Sequence, residues 1–290
     1  MQLVISNLSK TYANGTKALD DVTLTIPQGM YGLLGPNGAG KSSLMRTIST
    51  LQDADSGSIF LDDLDILNQK EETRKILGYL PQEFGVYPKV SATDLLEYLA
   101  VLKGIVNASE RKEIVNALLE KVNLYDQRKK AVSGYSGGMR QRFGIAQCLL
   151  GNPKLVIVDE PTAGLDPGER NRFYNLLSEI GEKTIVILST HIVQDVQELC
   201  NEMAIINKGK LLYAGGVNSA LDLLKGKVYE KIIAKDTMQQ HRTDYNVISD
   251  KLVSGKPLIH VYSNSPMING FEPTSPGLED VFFAKINELL

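Results

Sequence analysis

The sequence predicts an α/β fold with a parallel sheet, a helical insertion and a small C-terminal α+β appendage. Two continuous apolar runs, residues 155–158 and 184–188, are separated by a segment with helical spacing from about 169 to 180. Such runs are typical of strands that helices cover on both faces of a sheet. A β-rich run at 31–34 leads into a glycine loop and then into helical spacing at 43–48. This order also indicates an α/β core.

The N-terminal residues indicate a small antiparallel sheet. Short β-rich runs at 3–5, 22–26 and 31–34 are separated by turn residues at 14–15 and 27–29. Alternation of β-rich runs and turn residues is the usual pattern of antiparallel strands.

From about residue 91 the pattern becomes helical. Two apolar stripes have helical spacing, and we interpret both as packing faces of a helical insertion at about residues 84–150. Their members are Leu95, Leu96, Leu99 and Leu102 in the first stripe, and Ile114, Val115, Leu118, Leu119 and Val122 in the second. A further helix is predicted from Gly138 to Leu150, where Gly151, Asn152 and Pro153 form a stop signal.

The character of the sequence changes again near residue 215. Short β-like runs at 228–234 and 258–262 and a loop at 272–277 predict a small C-terminal appendage. We therefore divide the chain into a domain at 1–215 and an appendage at 216–290.

Composition excludes several classes of protein. The chain has 290 residues, 43% of them hydrophobic and 22% charged, as in ordinary folded proteins, and its formal net charge is −3. No basic stripe indicates a nucleic-acid partner. Cys148 and Cys200 lack metal-ligand spacing and fit a reducing cytoplasm. No signal peptide and no run of the ~18 apolar residues that a membrane span needs is present, so we expect any membrane attachment to use another chain.

The glycine loop at residues 35–42, GPNGAGKS, predicts a phosphate site. Its glycines let successive backbone N–H groups face a polyphosphate, and the following helix directs its positive end at the same anion. Lys41 is expected to reach the β- and γ-phosphates of ATP, and the Ser42 hydroxyl is expected to bind Mg²⁺. An ordinary glycine-rich turn is the alternative.

An acidic pair ends the apolar run at 155–158. Asp159 is expected in the shell of Mg²⁺, and Glu160 is expected to act as the general base on the attacking water. An acidic pair at a strand end is often only solvated, but the upstream glycine loop favours the catalytic interpretation.

Residues 135–141, YSGGMRQ, resemble the signature sequence of ATP-binding-cassette (ABC) ATPases. The resemblance covers residues 1 to about 215 and includes the motifs at 161–167 and 189–191. It implies a P-loop NTPase (RecA-like) core with an antiparallel β subdomain and an α-helical subdomain. Tyr135 stands where leucine is usual and Met139 where glutamine is usual, and we expect both to be tolerated.

The resemblance implies a head-to-tail homodimer that holds two ATP molecules between its subunits. In this family, residues matching Ser136 and Gly138 bind the γ-phosphate of ATP held by the second subunit. A helix N-terminus, with free N–H groups and a positive dipole end, suits that task.

Four further residues are implied by the resemblance. Gln82 matches a glutamine that touches Mg²⁺, Asp166 an aspartate that crosses the dimer interface, and His191 a histidine that contacts the γ-phosphate. Tyr12 matches an aromatic residue that stacks on adenine. The alternatives are a partly buried tyrosine at a strand end for Tyr12 and a core histidine for His191.

Together these assignments define three overlapping sets of residues. The catalytic set is Glu160, His191 and Lys41. The metal set is Ser42, Gln82 and Asp159. The nucleotide set is Tyr12, Gly35, Asn37, Gly38, Ala39, Gly40, Lys41, Ser42, Ser43, Gln82, Ser136, Gly138 and Asp166.

The family resemblance also implies an integral membrane permease as the partner and a place on the cytoplasmic face of the membrane. Phe84, Val86 and Tyr87 are candidate contacts for a helix of that permease, with buried packing as the alternative. Residues 275–283 are similar to the tails of multidrug and antibiotic exporter subunits. This favours an exporter. The competing hypotheses are a soluble cassette ATPase acting on nucleic acid, ribosomes or protein assembly, and a non-hydrolysing nucleotide sensor.

Overall fold

The computed structural model of the protein describes residues 1–82, 85, 88–162 and 164–290. Its strands are β1 (Gln2–Thr11), β2 (Lys17–Pro27), β3 (Gly29–Leu34), β4 (Ser56–Leu61), β5 (Leu64–Asp65), β6 (Leu77–Leu80), β7 (Leu155–Asp159), β8 (Ile185–Thr190), β9 (Glu202–Asn207), β10 (Lys210–Gly216), β11 (Val228–Ile232), β12 (Asn246–Val253), β13 (Lys256–Tyr262) and β14 (Glu272–Pro273). Its helices are α1 (Lys41–Ile48), α2 (Lys70–Ile76), α3 (Ala92–Leu102), α4 (Ala108–Lys121), α5 (Gly137–Cys148), α6 (Pro167–Gly181), α7 (Val193–Leu199), α8 (Val217–Asp222), α9 (Met238–Asp244) and α10 (Leu278–Ile286).

The central sheet has the strand order β10-β9-β3-β8-β7-β6. Every neighbouring pair from β9 to β6 is parallel, and β10 is antiparallel to β9. All residues of β7 and β8 are buried, as their continuous apolar runs predict. The α/β prediction is therefore confirmed. The carboxyl ends of β3, β7 and β8 lie side by side, which places the segments that follow them at one edge of the sheet.

A second, antiparallel sheet has the order β2-β1-β4-β5. Leu3, Ile5 and Leu8 of β1 are buried in one hydrophobic cluster with residues of the central sheet. The expected antiparallel sheet is confirmed for the first two N-terminal runs, but it is wrong for the run at 31–34. That run belongs to β3, because a strand with four buried residues in succession needs cover on both faces.

The helical insertion contains α3, α4 and α5, which pack around one hydrophobic cluster that includes Leu95, Leu96, Val115 and Leu119. Side chains cap the N-termini of α3 and α4. Ser91 accepts from the Asp94 N–H, and Asn107 accepts from the Ser109 N–H. The structure contradicts one member of the predicted stripes.

That member is Leu102, which is 66% exposed at the C-terminal end of α3. Its spacing keeps it on the same side of α3 as Leu95, but the hydrophobic cluster does not include it. Spacing shows which face of a helix is apolar and does not show where its packing partners end. The candidate permease contacts Phe84, Val86 and Tyr87 lie outside the described residues.

The C-terminal part contains a third sheet, β12-β13-β11-β14, and the helix α10. The predicted β-like runs correspond to β11 and β13, whereas β12, α9 and α10 have no counterpart among the predicted elements. The proposed division at residue 215 stays a prediction. Val196 and Met203 of the first part share a hydrophobic cluster with Leu278, Val281 and Phe282 of α10, so the two parts pack through a common core.

No helix among the described residues is long and apolar enough to span a bilayer.

Candidate nucleotide-binding and hydrolysis site

The glycine loop connects the end of β3 to the start of α1, as predicted. Gly40 precedes α1 with a φ of 110°, a conformation that favours glycine. A Cβ atom at Gly40 would collide with the carbonyl oxygen of Ala18. The first turn of α1 holds no acidic side chain. The loop therefore directs free N–H groups and a positive helix end toward the same space, as an anion site requires.

Lys41 is the charged group of this loop. Its side chain is folded back, and Nζ donates to the carbonyl oxygens of Gly35 at 2.6 Å and Pro36 at 3.1 Å. Burial lowers the pKa of the Lys41 ammonium, an effect that the carboxylates of Glu160 and Asp159 oppose. Both acceptors in these two bonds are neutral, so a phosphate oxygen would form a stronger, charge-assisted bond with Lys41.

A cavity of about 400 Å³ brings most of the predicted residues together. It lies over the glycine loop and is lined by Tyr12, Thr16, Ala18, Asn37, Gly38, Ala39, Gly40, Lys41, Ser42, Ser43, Gln82 and Glu160. This set combines the expected adenine contact, most of the phosphate loop and two of the three expected metal ligands, whereas Gly35, Asp159 and His191 are not among the described residues that line the cavity.

Tyr12 lies at the rim of this cavity and has two polar contacts. Its hydroxyl group lies 2.9 Å from Oγ of Ser43 and donates to Oε1 of Gln52 at 2.8 Å. The ring is partly exposed, which leaves room for a stacked base.

The acidic pair lies opposite the loop, at the end of β7. Asp159 is 6% exposed. Burial raises its pKa above the ordinary value, and the neighbouring Glu160 carboxylate adds to the rise, while Ser189, Lys41 and Ser42 lower it. A cation at this carboxylate would offset the penalty of burying it.

Glu160 has a φ of 47°, in the left-handed region that non-glycine residues rarely adopt. Its N–H donates to the carbonyl oxygen of Ser189 at 2.8 Å, which fixes the turn against β8. Its carboxylate accepts from Nε2 of Gln82 at 3.0 Å and lies 2.9 Å from Nδ1 of His191. Two side chains that are distant in sequence, Gln82 and His191, therefore converge on the Glu160 carboxylate.

Ser136, Gly138 and Asp166 are not among the described residues that line the cavity. Ser136 is exposed and caps α5 by accepting from the N–H of Met139 at 3.3 Å. Asp166 caps α6 by accepting from the N–H of Glu169 at 2.9 Å. Ser136 and Asp166 therefore both cap helices, and neither lines the cavity over the glycine loop.

Comparisons with known proteins agree with this arrangement. The model of the ABC transporter family matches residues 19–163, half of the chain. The protein is an ABC transporter ATP-binding subunit.

Two curated relatives and one solved structure illustrate the relationship. YxlF of Bacillus subtilis, described as an uncharacterized ABC transporter ATP-binding protein, is 30% identical over 98% of this chain and 99% of its own length. DrrA of Streptomyces peucetius, a daunorubicin/doxorubicin resistance ATP-binding protein, is 34% identical over 72% of this chain and 64% of its own. The dimeric bacterial cassette MJ0796 is 25% identical, with a TM-score of 0.67, over 74% of this chain and 98% of its own.

The fold of this ABC subunit is therefore the P-loop NTPase cassette, and its enzymatic class is ATP hydrolase. Subunits of the family dimerise, as the MJ0796 cassette does. The individual roles assigned above to residues of this chain stay predictions.

Sequence reasoning missed three residues around the site of this ABC subunit. Thr16 and Ala18 line the cavity, and Gln52 bonds the Tyr12 hydroxyl. Thr16 accepts from the N–H of Tyr12 through its carbonyl oxygen at 2.9 Å, across a turn at residues 12–16. The turn residues at 14–15 were a signal that the chain reverses near Tyr12, but nothing in the sequence related this turn to the glycine loop.

A larger cleft, of about 610 Å³, lies in the C-terminal part of the subunit. It is lined by His260, Asp280 and Glu230, among others, and none of its lining residues belongs to the glycine loop or the acidic pair. We therefore assign the nucleotide to the smaller cavity, where the phosphate-binding features lie.

Proposed function

We propose that this ABC ATP-binding subunit powers an exporter from the cytoplasmic face of a membrane, bound to one or more integral membrane permease subunits. The observation that carries the proposal is the cavity over the glycine loop, which gathers Tyr12, Lys41, Gln82 and Glu160 in one space. Ser136 and Asp166 lie outside it, which supports a composite site between two head-to-tail subunits.

Mg²⁺ suits the donors beside the glycine loop. Ser42 offers a hydroxyl, Asp159 a buried carboxylate and Gln82 an amide oxygen that its bond to Glu160 does not use. Oxygen donors of this kind are the ligands that Mg²⁺ prefers. When bound there, the ion would neutralise charge on the phosphate oxygens of ATP.

The residues around Glu160 support its role as general base. Gln82 contacts one carboxylate oxygen and His191 the other. Each oxygen has a second lone pair, so the carboxylate can still accept a hydrogen bond from the attacking water. We assign the amide oxygen of Gln82 to Mg²⁺, and we assign His191 to the γ-phosphate and to the orientation of Glu160.

Phosphate binding by Lys41 is compatible with its bonds to the carbonyl oxygens of Gly35 and Pro36. Those two bonds hold the ammonium group near the loop and leave its third N–H for a phosphate oxygen. A hydrogen bond between two charged groups of that kind is roughly twice as strong as one between neutral groups.

The helical insertion offers a surface for the permease. Tyr98, Val101 and Leu102 of α3 are exposed, together with Val106 in the following turn. A groove of about 380 Å³ lies beside them, lined in part by Tyr79, Leu99 and Leu102. Exposed apolar clusters of this kind mark interaction sites on soluble domains. The proposed direction of transport rests on the resemblance to DrrA, whose name records drug resistance, and on the tail at 275–283.

The experiment is to tag the chain at native expression, solubilise membranes in mild detergent and identify co-purifying proteins by mass spectrometry. A stoichiometric multi-span protein is the expected result. Recovery only from the soluble fraction, alone or with ribosomes or nucleic acid, would contradict the proposal and favour a soluble cassette ATPase. With the permease identified, ATP-dependent uptake of daunorubicin by inverted vesicles but not by right-side-out vesicles would support export.

A further inference from the structure

Asp195, in the first turn of α7, is a buried carboxylate outside the predicted site. Its exposure is 0%. Among the described residues, four side chains bond to or pair with its two oxygens: Thr162, Tyr174, Thr190 and Arg170.

Burial of a carboxylate costs free energy. Proteins in which hydrophobic residues of similar volume replace a buried ion pair are often equally or more stable. Stability is therefore a weak reason for a carboxylate at this position. Buried polar networks do fix the geometry of the segments that they join, because each hydrogen bond constrains direction as well as distance.

One branch of the network fixes the chain on both sides of His191. The Thr190 hydroxyl donates to Oδ2 of Asp195 at 3.2 Å and accepts from the N–H of Ile192 at 2.9 Å. The N–H of Asp195 in turn donates to the carbonyl oxygen of Ile192 at 3.2 Å. The residues immediately before and after His191 are thus both held by Asp195.

A second branch reaches the segment that follows Glu160. The Thr162 hydroxyl donates at 2.5 Å to Oδ2 of Asp195, the same oxygen that Thr190 contacts. One oxygen atom therefore joins the turns that carry Glu160 and His191, whose side chains lie 2.9 Å apart.

The third branch reaches α6, which begins at the cap Asp166. The hydroxyl of Tyr174 donates to Oδ1 of Asp195 at 2.5 Å, and the guanidinium of Arg170 lies 3.3 Å from the same oxygen. Both residues belong to α6, so the helix that starts at the proposed dimer-interface aspartate is bonded to the same carboxylate.

We propose that Asp195 is a positioning residue for ATP hydrolysis, which holds His191 opposite Glu160 by tying Thr190 and Thr162 to one carboxylate oxygen. The inference rests on the roles proposed above for Glu160 and His191. Asp195 touches neither side chain in the bonds described and acts through the backbone that carries them. Loss of the carboxylate should therefore slow turnover and leave ATP binding intact, because the glycine loop is bound by other contacts.

The test compares Asp195→Asn and Thr190→Val with Thr73→Val in the full chain. Thr73 is a buried threonine of α2 whose hydroxyl bonds the carbonyl oxygen of Gln69. Thr73→Val thus removes an equally buried hydroxyl that does not contact Asp195. We expect kcat to fall by ~10-fold or more in the first two variants, with the Kd for ATP changed less than about twofold, and no change in the control.

A spectroscopic readout separates positioning from general damage to the fold. The chain has three histidines, His191, His241 and His260. In ¹³C-histidine NMR spectra, Asp195→Asn and Thr190→Val should shift the His191 ring signal, assigned with His191→Ala, and leave the other two unchanged. Thr190→Val removes the Thr190 hydroxyl, with its bonds to Asp195 and Ile192, and retains the other partners of Asp195. It therefore tests the proposal if Asp195→Asn does not fold.

Three results would overturn the inference. These are an unchanged kcat, an equal loss of turnover and ATP affinity, or a fall in kcat with the His191 signal in its original position. None of them bears on co-purification with a permease, so failure here is distinguishable from failure of the export proposal.

Discussion

Oε1 of Glu160 lies 2.9 Å from Nδ1 of His191, and Oε2 of the same carboxylate accepts a hydrogen bond from Gln82. The three residues follow strands β7, β8 and β6, which are neighbours in the central sheet. The sheet therefore places the two partners that orient the proposed general base.

The first prediction concerns Glu160→Gln. The amide cannot accept a proton from water, so kcat should fall by about 10²- to 10⁴-fold, while ATP affinity is retained. ATP should then hold the dimer closed, and size-exclusion chromatography with ATP and Mg²⁺ should give a dimer peak. A monomer under these conditions would contradict the sandwich arrangement.

Ser136→Arg should abolish turnover with little change in the affinity for ATP, because Ser136 lies apart from the cavity of its own subunit. Mixing provides a sharper measurement. A head-to-tail heterodimer of Ser136→Arg with Glu160→Gln contains one site in which both defects are absent, so ATPase activity should return on mixing. If the mixture stays inactive, Ser136 serves its own subunit's site.

Tyr12→Ala should weaken ATP binding by about 1 to 3 kcal/mol, the usual contribution of stacking between a base and an aromatic ring. Tyr12→Phe keeps the ring but loses the bonds to Ser43 and Gln52, so its effect should be smaller. Fluorescence titration with a labelled ATP analogue measures both. Equal losses in the two variants would show that the hydroxyl matters and that the ring does not stack.

Leu102→Glu should prevent co-purification of the permease without changing the ATPase activity of the purified chain. The substitution places a charge in the exposed apolar cluster of α3. Leu252→Glu is a matched control, because Leu252 is 67% exposed and Leu102 is 66% exposed, but Leu252 lies in the C-terminal sheet. If both variants retain the permease equally, the cluster on α3 is not the docking surface.

The fifth prediction is a pH dependence of stability from His260 and Asp280, whose Nδ1 and Oδ1 atoms lie 2.7 Å apart. The hydrogen bond to Asp280 raises the pKa of His260 above its ordinary value of 6.5, which burial and Lys251 oppose and the Glu230 carboxylate assists. A raised pKa in the folded state stabilises the fold below pH 6.5, and this contribution is lost as the pH rises through the folded value.

Asp280 sets the lower end of the pH range in which the pair stabilises the fold. Burial acts to raise its pKa, but its bonds to His260 and to the N–H of Gly277 leave the pKa below its ordinary value of 3.8. Its contribution is therefore present above pH 3.8 and lost as the pH falls through the depressed value. His260→Gln should thus lower the melting temperature more at about pH 5.5 than at about pH 9.

His241→Gln is the control for that comparison, because Nδ1 of His241 contacts the backbone oxygen of Thr237 and no carboxylate. Its effect on melting should be similar at both pH values. A His260→Gln effect that is equally independent of pH would contradict the prediction.

Sequence alone determined the parts of this protein that depend on local chemistry. The spacing of glycines at 35–42 determined the phosphate loop, and uninterrupted apolar runs determined the buried strands that lead to Asp159 and His191. The cap at Ser136 was not among the predictions, although a serine before a helical segment commonly accepts from free N–H groups.

Only the tertiary structure decided which distant residues meet. The strand order brought Gln82 and His191 to the two oxygens of Glu160 and included the run at 31–34 in the central sheet. The packing of the helices left Leu102 exposed and buried Asp195 among four polar partners from three segments. A local pattern fixes how one segment folds and which face is apolar, whereas contacts between segments depend on how all of them pack together.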